Sequence, residues 1–151
     1  MKIGVLSDTH IHQAEEIPAE IIRAFSKVDL IVHAGDFVGS AVLEGLKRLG
    51  EVKAVHGNVD SMKLRNLLPE KEIFTAGGKR IGVMHGWGGP EGIESRVKMM
   101  LGAVDIIIYG HSHRANIEQT GGVLFFNPGP GWQSYGILTI DKDVSGEIVR
   151  F

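Results

Sequence analysis

The sequence begins MKIGVLSDTH (residues 1–10), in which a short apolar run, Ile3 to Leu6, leads directly into Ser7-Asp8-Thr9-His10. An apolar run of this length is typical of a buried β-strand. Four more candidate strands lead into a polar residue beside a small or flexible one. Those junctions are Gly35-Asp36, Gly57-Asn58, His85-Gly86 and Gly110-His111-Ser112-His113. The predictions of the fold and of the functional site both rest on this repeated pattern of a strand followed by a polar residue.

Apolar stripes at helical spacing separate the early strand candidates and predict alternating β and α elements. The three stripes are Ile17-Ile21-Ile22-Phe25 with Pro18 in the first turn, Val42-Leu43-Leu46-Leu49 closed by Gly50, and Ile93-Val97-Met100-Leu101 closed by Gly102. The strand candidates of this part are 3–6, 30–32, 52–55, 72–75, 80–84 and 106–108, with a hairpin turn at Gly77-Gly78. Residues 61–70 read as a short helix or a loop.

The pattern changes after residue 110, because strand candidates then follow one another without helices between them. They cover residues 115–119, 122–126, 135–140 and 146–151. We therefore expect parallel early strands and antiparallel later ones, the later ones forming a second sheet packed on the first. The predicted class is α/β. The 151 residues are expected to form a single domain.

Composition narrows the classes of function. The net charge of -2 argues against a basic surface for DNA or RNA, so sequence-specific nucleic-acid binding is not expected. The chain contains no cysteine, which excludes disulfides and thiolate metal sites. Its apolar runs are too short to cross a membrane, and its first residues lack a secretory signal. These features predict a cytoplasmic protein.

The polar residues after the strands are expected to converge, since the carboxyl ends of parallel strands share one edge where ligands bind. The candidate metal ligands are Asp8, His10, Asp36, Asn58, His85, His111 and His113. Oxygen and imidazole donors suit manganese, iron, zinc or nickel. Seven ligands are too many for one ion that must also leave room for substrate. We therefore expect two divalent ions roughly 3.5–4 Å apart, a pair that can clamp a phosphate and acidify a bridging water. Asp36 is the natural bridging ligand.

This ordered set resembles that of the calcineurin-like metallophosphoesterases, whose motifs run D-x-H, G-D, G-N, a histidine after a strand, and G-H-x-H. The match extends over nearly the whole chain, and the short length and the Asn127-Pro128-Gly129 turn are similar to the compact bacterial and archaeal branch. The resemblance implies a four-layer α-β-β-α sandwich of two mixed β-sheets flanked by helices. It also implies a metal-dependent phosphodiesterase that acts through a metal-bridging hydroxide.

The resemblance also implies roles for individual residues. Asp8, His10, Asp36 and His113 would hold the first metal, and Asp36, Asn58, His85 and His111 would hold the second. Asp36, Asn58 and His85 are also the predicted catalytic residues. Manganese is the expected metal, with nickel, iron and zinc as alternatives. The expected substrate is a small phosphodiester or a nucleotide-like molecule. Homo-oligomers are common among similar proteins, so a homodimer is the expected assembly.

One position departs from the family pattern. Many members carry a histidine after the G-N pair that contacts phosphate and assists the leaving group, whereas this chain has Val59 there. A valine side chain can neither donate a proton nor bind phosphate. We therefore expect substrates with good leaving groups to be cleaved best.

Two alternatives to a phosphodiesterase remain open. A eukaryotic relative of the compact branch, the metallophosphoesterase-like subunit of retromer, serves mainly as an interaction module, so a binding scaffold is one alternative. A phosphomonoesterase is the other, because Lys63, Arg65 and Arg114 could supply the additional positive charge that a monoester rewards.

Several other residues near the motifs have less specific predicted roles. Among the histidines, His33 is expected to pack behind the site, His12 to lie exposed at its rim, and His56 to point away from the metals because side chains alternate along a strand. Asp60 is expected to cap the next helix and to orient a ligand. The remaining candidates are Trp87 and Trp132, which lie in glycine-rich loops and could stack on a base or line an interface.

Overall fold

The computed structural model describes residues 1–151, and its ten strands form two five-stranded sheets. The first sheet contains, in spatial order, β10 (Val144–Arg150), β9 (Ser134–Ile140), β1 (Lys2–Leu6), β2 (Leu30–His33) and β3 (Val52–Ala54). The second contains β4 (Lys71–Ala76), β5 (Lys79–Met84), β6 (Ile106–Ile108), β8 (Val123–Asn127) and β7 (Asn116–Thr120). Every predicted strand is present, with ends shifted by a few residues at most.

Four α-helices and one short 3₁₀ helix connect the strands. They are the 3₁₀ helix Ala14–Glu16, α1 (Ala19–Phe25), α2 (Ser40–Lys47), α3 (Met62–Leu67) and α4 (Ile93–Leu101). Gly102 follows α4 with a φ of 73°, so it ends that helix as predicted. The prediction for Gly50 was wrong, because α2 ends at Lys47 and Arg48 is its C-cap. The longest helix, α4, has nine residues, and none of the helices could span a lipid bilayer.

The order of the strands corrects the expectation that all the late strands form the second sheet. β1, β2 and β3 are parallel as predicted, but β9 and β10 return to the first sheet, with β9 antiparallel to β1. In the second sheet, β8 pairs with β6 in parallel. β1 is buried along almost its whole length, so the backbone groups on its second edge need partners. β9 supplies them.

Three groups of buried side chains define four layers. The largest group fills the space between the two sheets and includes Ile3, Val83 and Leu138. A second group joins α1, α2 and α3 to the outer face of the first sheet, and a third joins α4 to the outer face of the second. The protein is therefore the α-β-β-α sandwich that the resemblance implied.

Candidate metal centre

The two sheets bring their strand ends together at one edge. Asp8 follows β1, Asp36 follows β2, His85 follows β5, and His113 lies in the segment after β6. His85 Nε2 lies 3.1 Å from Asp36 Oδ2, and His113 Nε2 lies 3.3 Å from Asp8 Oδ1. His10 Nε2 is 3.4 Å from Asp36 Oδ2. Side chains that are up to 105 residues apart in the chain (113 minus 8) thus meet at one point.

The donor atoms fall into two groups that share Asp8, and within each group they lie within 4.8 Å of one another. We call Asp8, Asp36 and His85 the buried group, since all three are shielded from solvent. We call Asp8, His10 and His113 the open group, because the His113 side chain is 41% exposed. Asp36 Oδ2 also faces His10, so the Asp8 and Asp36 carboxylates both contact members of the two groups.

Three buried donor atoms of these groups lack a hydrogen-bond partner, namely Asp8 Oδ1, His10 Nε2 and His85 Nε2. Burial of unpaired polar atoms is costly, and a bound cation would remove that cost. His85 Nδ1 lies 2.8 Å from the carbonyl oxygen of Ala34. That oxygen can only accept, so Nδ1 carries the proton and Nε2 keeps its lone pair for a metal. The residues present therefore fit divalent cations.

The electrostatics of the buried group keep the carboxylates charged. Burial opposes ionisation of Asp36, but the nearby His85 imidazole and the N–H that Val59 donates to Asp36 outweigh it and lower the pKa of Asp36 to about 2. Burial likewise opposes ionisation of Asp8, yet the nearby histidines, His10 first among them, and the hydroxyl of Ser7 lower its pKa. Burial disfavours a charged His85, but Asp36 and Asp8 raise its pKa. Two negative charges at the bottom of the site thus attract positive charge.

Backbone strain is concentrated in the same place. Only six non-glycine residues have a positive φ, and five of them are predicted ligands. The six are Asp8, His10, Asp36, Val38, His111 and His113. Left-handed conformations of non-glycine residues are costly and cluster at functional sites. The distribution supports a site at this edge that the rest of the fold holds in place.

Two motif glycines allow the close approach of neighbouring segments. A Cβ at Gly57 would overlap the Asp36 carboxylate, and one at Gly110 would overlap the side chain of Ser7 and approach Asp8 Oδ2. Side chains larger than hydrogen at these positions would push the ligand-bearing loops apart. The glycines of the G-N and G-H-x-H motifs are therefore needed for packing between the loops.

The two groups consist of histidine and carboxylate donors only, so they do not include the amide of Asn58, and His111 also lies outside them. The His111 ring packs edge-on against His85 with centroids 5.2 Å apart, and its backbone N–H donates to Asp8 Oδ2 at 3.1 Å. Asn58 is exposed and lines a cleft beside His85. Both residues border the buried group, and their roles as ligands stay predictions.

The expectation that Asp60 caps the following helix was wrong. Ser61 caps α3, since its Oγ accepts from Leu64 N at 3.3 Å. The buried Asp60 carboxylate instead accepts three backbone N–H groups, from Asp36 at 3.0 Å, Val38 at 2.9 Å and Gly57 at 2.7 Å. It thereby joins the loop of Asp36 to the turn of Asn58. Sequence spacing could not show this, because two of the three partners, Asp36 and Val38, lie in the loop that follows another strand.

The histidines outside the motifs take different positions. His33 is buried and stacked on Phe37, and its two ring nitrogens contact Gly35 N and Thr9 Oγ1, so it supports the loop that carries Asp36. His56 lies beyond the end of β3, so strand alternation does not set its direction. It lines the cleft that also includes His85 and Asn58.

Two clefts lie beside the turn at Gly57–Asp60, and one of them includes the predicted ligands Asn58 and His85. The Trp87 cleft has a volume of about 230 Å³, and its lining includes Trp87, His85, Asn58, Arg65 and Glu70. The Val59 cleft is wider and more open, with a volume of about 520 Å³. Its lining includes Val59, Val38, the exposed His12 and Lys63.

Trp132 and the turn at Asn127 contact the side of the centre that carries His10 and His113. The Trp132 ring packs edge-on against both His10 and His113, with centroids 5.2 Å apart in each pair. Asn127 Nδ2 donates to the carbonyl of Gly110 at 3.2 Å and to Ser112 Oγ at 3.1 Å. The Asn-Pro-Gly turn therefore braces the loop that carries His111 and His113.

Comparison with known proteins agrees with this geometry. The sequence profile of the calcineurin-like phosphoesterase superfamily domain matches residues 1–143. A Methanocaldococcus jannaschii protein named "probable metallophosphoesterase" is 40% identical over 134 residues, which cover 85% of this chain and 67% of that protein. A phosphodiesterase of the same organism is 29% identical, with 99% of each chain covered. Among solved structures, Vps29 of Entamoeba histolytica complexed with zinc is 26% identical, with a TM-score of 0.77 and 99% of each chain covered.

The chain thus belongs to the calcineurin-like metallophosphoesterases. Its two sheets, its helices and its cluster of histidine and carboxylate donors are those of a metallophosphoesterase.

Proposed function

We propose that this protein is a phosphodiesterase that uses two divalent metal ions. The observation that carries the proposal is the pair of donor groups that share Asp8 and contain three buried donor atoms without hydrogen-bond partners. Two groups with a common carboxylate suit two neighbouring ions better than one. The proposed ligands are Asp8, His10, Asp36, Asn58, His85, His111 and His113, and manganese is the proposed metal.

Bound ions would supply Lewis acidity, neutralising a phosphate and lowering the pKa of a water between them. The protein's own residues prepare the site for that chemistry. Ionised Asp8 and Asp36 balance the cationic charge, and the contact with Ala34 presents the lone pair of His85 Nε2. Asp36, Asn58 and His85 are the proposed catalytic residues.

The two clefts favour a diester as the substrate. A diester has two organic substituents on phosphorus. The Trp87 cleft includes two predicted ligands, and the Val59 cleft is lined by the neighbouring residues of the same turn. Trp87, which is 40% exposed, offers an aromatic wall for a nucleotide-like group in the narrower cleft. Val59 is 44% exposed in the other cleft and offers no proton to a leaving group.

Two of the three basic candidates give less support to a monoester, whereas Lys63 lines the Val59 cleft. Arg65 is already engaged, since its guanidinium donates to the carbonyl oxygens of Asp60, at 3.2 Å, and Asn58, at 2.5 Å. Arg114 pairs with Glu91 at the surface, where both side chains are mostly exposed. Neither guanidinium is thus free to meet the additional charge of a monoester.

The test is hydrolysis of bis-p-nitrophenyl phosphate and p-nitrophenyl phosphate, measured side by side on metal-stripped protein after addition of manganese. Cleavage that depends on manganese, favours the diester and is abolished by Asp36→Ala supports the proposal. Asp143→Ala, which changes an exposed aspartate in the turn between β9 and β10, is the matched control.

A second candidate function is a protein-interaction scaffold. The likeness to Vps29 favours it, as do the exposed apolar side chains of Met62, which is 74% exposed, and Leu67, which is 58% exposed, on α3. A folded protein without turnover on either substrate with manganese, nickel, iron or zinc would favour the scaffold over the enzyme.

A further inference from the structure

The loop between β5 and α4 is organised by one arginine. Its sequence is Gly86-Trp87-Gly88-Gly89-Pro90-Glu91-Gly92. None of the side chains in the two donor groups forms a hydrogen bond with this loop. Arg96 in α4 donates to three of its carbonyl oxygens, those of Trp87 at 2.8 Å, Glu91 at 3.0 Å and Gly89. A guanidinium is suited to this task, because its planar fork donates in several fixed directions.

The same loop contacts a predicted metal ligand. The carbonyl oxygen of Gly88 lies 3.1 Å from His111 Nε2. A carbonyl can only accept, so this contact places the ring proton on Nε2 and leaves the lone pair on Nδ1. His85 has the opposite arrangement, with Nδ1 against Ala34 O. Two histidines 5.2 Å apart are thereby held with different nitrogens available.

Gly88 is held directly against Arg96. Its φ of 80° is in the left-handed region, and a Cβ built on it would lie 3.1 Å from Arg96 Cζ. The guanidinium therefore packs on the backbone of the residue whose carbonyl faces His111, while it bonds the carbonyls on both sides of that residue. The direction of the Gly88 carbonyl follows from these contacts.

We propose that Arg96 is a positioning residue for the second metal ion, acting through the Gly88 carbonyl to fix the tautomer and orientation of His111. This inference rests on the proposed two-metal function. Arg96 touches none of the predicted ligands, and it lies outside every motif that carried the family resemblance. Without the Arg96 guanidinium the loop is no longer held in place, and the His111 ring loses the contact that constrains it.

The test compares Arg96→Gln and Arg96→Lys with Lys98→Gln. Lysine keeps the charge but cannot span three carbonyls. Lys98 is an exposed residue of the same helix, so its substitution makes the same change in charge away from the loop. The first measurement is the ring-nitrogen NMR spectrum of metal-free protein in alkaline buffer, which reports the tautomer of each histidine. The second is the manganese content after loading, together with the electron paramagnetic resonance signal that separates coupled from single ions.

The expected wild-type result is a His111 proton on Nε2 and two coupled manganese ions. In both Arg96 variants, His111 should populate both tautomers, and the weaker ion should bind roughly 10- to 100-fold less tightly, giving a single-ion signal. His85 and His113 should be unchanged, as should all signals in the Lys98 variant. A purely structural role would lower thermal stability without this selective change.

Each contrary result has a distinct meaning. A wild-type His111 proton on Nδ1 overturns the inference, even if a variant fails to fold. Arg96 variants that keep the tautomer and both ions also overturn it, but they leave the two-metal function standing. Wild-type protein that binds fewer than two ions sinks the proposed function, and the role of Arg96 with it.

Discussion

The buried and open groups of donors share one carboxylate but are built in different ways. Asp36 and His85 in the buried group are held by polar contacts, with Asp60 bonding the backbone N–H of Asp36 and Ala34 O facing His85. His10 and His113 in the open group have side chains 31% and 41% exposed, and an indole ring packs against both. Directional polar contacts thus hold the ligands of the buried group, whereas less directional aromatic contacts hold those of the open group.

This difference implies different responses to substitution. Polar contacts in a buried setting fix geometry closely and are costly to break. Aromatic contacts at the surface contribute less and tolerate replacement better. We therefore expect the buried group to be sensitive to the residues around it and the open group to depend mainly on its own ligands.

The largest effect is expected from Asp8→Asn, because Asp8 is common to both groups. Its Oδ1 lies 3.3 Å from His113 Nε2, 3.7 Å from His10 Nε2 and 3.8 Å from His85 Nε2. Loss of this charge should weaken both ions by at least about 100-fold, whereas His113→Gln should weaken only one. Manganese titration followed by metal analysis measures this. Two tightly bound ions in the Asp8 variant would contradict the shared role.

A large loss of stability is expected from Asp60→Ala, which leaves three buried N–H groups without their acceptor. The expected decrease in the free energy of unfolding is about 3 kcal/mol, measured by urea denaturation of metal-free protein. Ser61→Ala removes only the N-cap of α3 and should cost about 1 kcal/mol. Equal costs for the two variants would show that Asp60 does not join the loops.

A pH effect is expected from His33, because burial lowers the pKa of its imidazole from 6.5 to about 3. The unfolded chain binds a proton as pH falls below 6.5 while folded His33 stays neutral, so stability is lost between pH 6.5 and about 3. His10 and His85 have raised pKa values, so the stability that they contribute is fully present below pH 6.5. They therefore do not change how the free energy of unfolding varies with pH in that range. Aspartates with lowered pKa values act only below about 3.8.

The measurement is urea denaturation of metal-free protein at several values between pH 6.5 and 4. We expect a loss of about 3 kcal/mol over that range, and a flatter profile for His33→Gln. Glutamine can still accept from Gly35 N and donate to Thr9 Oγ1, the two partners of His33. His12→Gln, at an exposed histidine, is the control. An unchanged slope in the His33 variant would assign the pH effect to other groups.

The smallest effect is expected from Trp132→Leu in the open group. Loss of the edge-on contacts with His10 and His113 should weaken one ion by about fivefold, since such a pair contributes about 1 kcal/mol. Trp87→Leu, on the other side of the centre, should leave metal affinity unchanged, and isothermal titration with manganese compares the two. A loss in the Trp132 variant as large as that for Asp8→Asn would erase the contrast between the groups.

Much of the fold could be predicted from local patterns. The Gly77-Gly78 hairpin has the two positive φ angles that its glycines predicted, and α4 ends at Gly102. The strands that carry ligands were predicted because a run of buried residues and a turn are features of adjacent positions. The sheet to which β9 belongs could not be predicted in this way, because it depends on the unpaired edge of β1, more than 100 residues away.

The sequence by itself determined the kinds of metal ligand, their places after strands and the absence of thiolate chemistry, because residue type and alternation are local properties. The tertiary structure alone decided that Asp8 is shared between two groups, that Asp60 joins two loops and that Arg96 directs the Gly88 carbonyl towards His111. Each of these depends on distances between atoms of separate segments. Such distances are set by how two sheets pack, and no spacing within one segment encodes them.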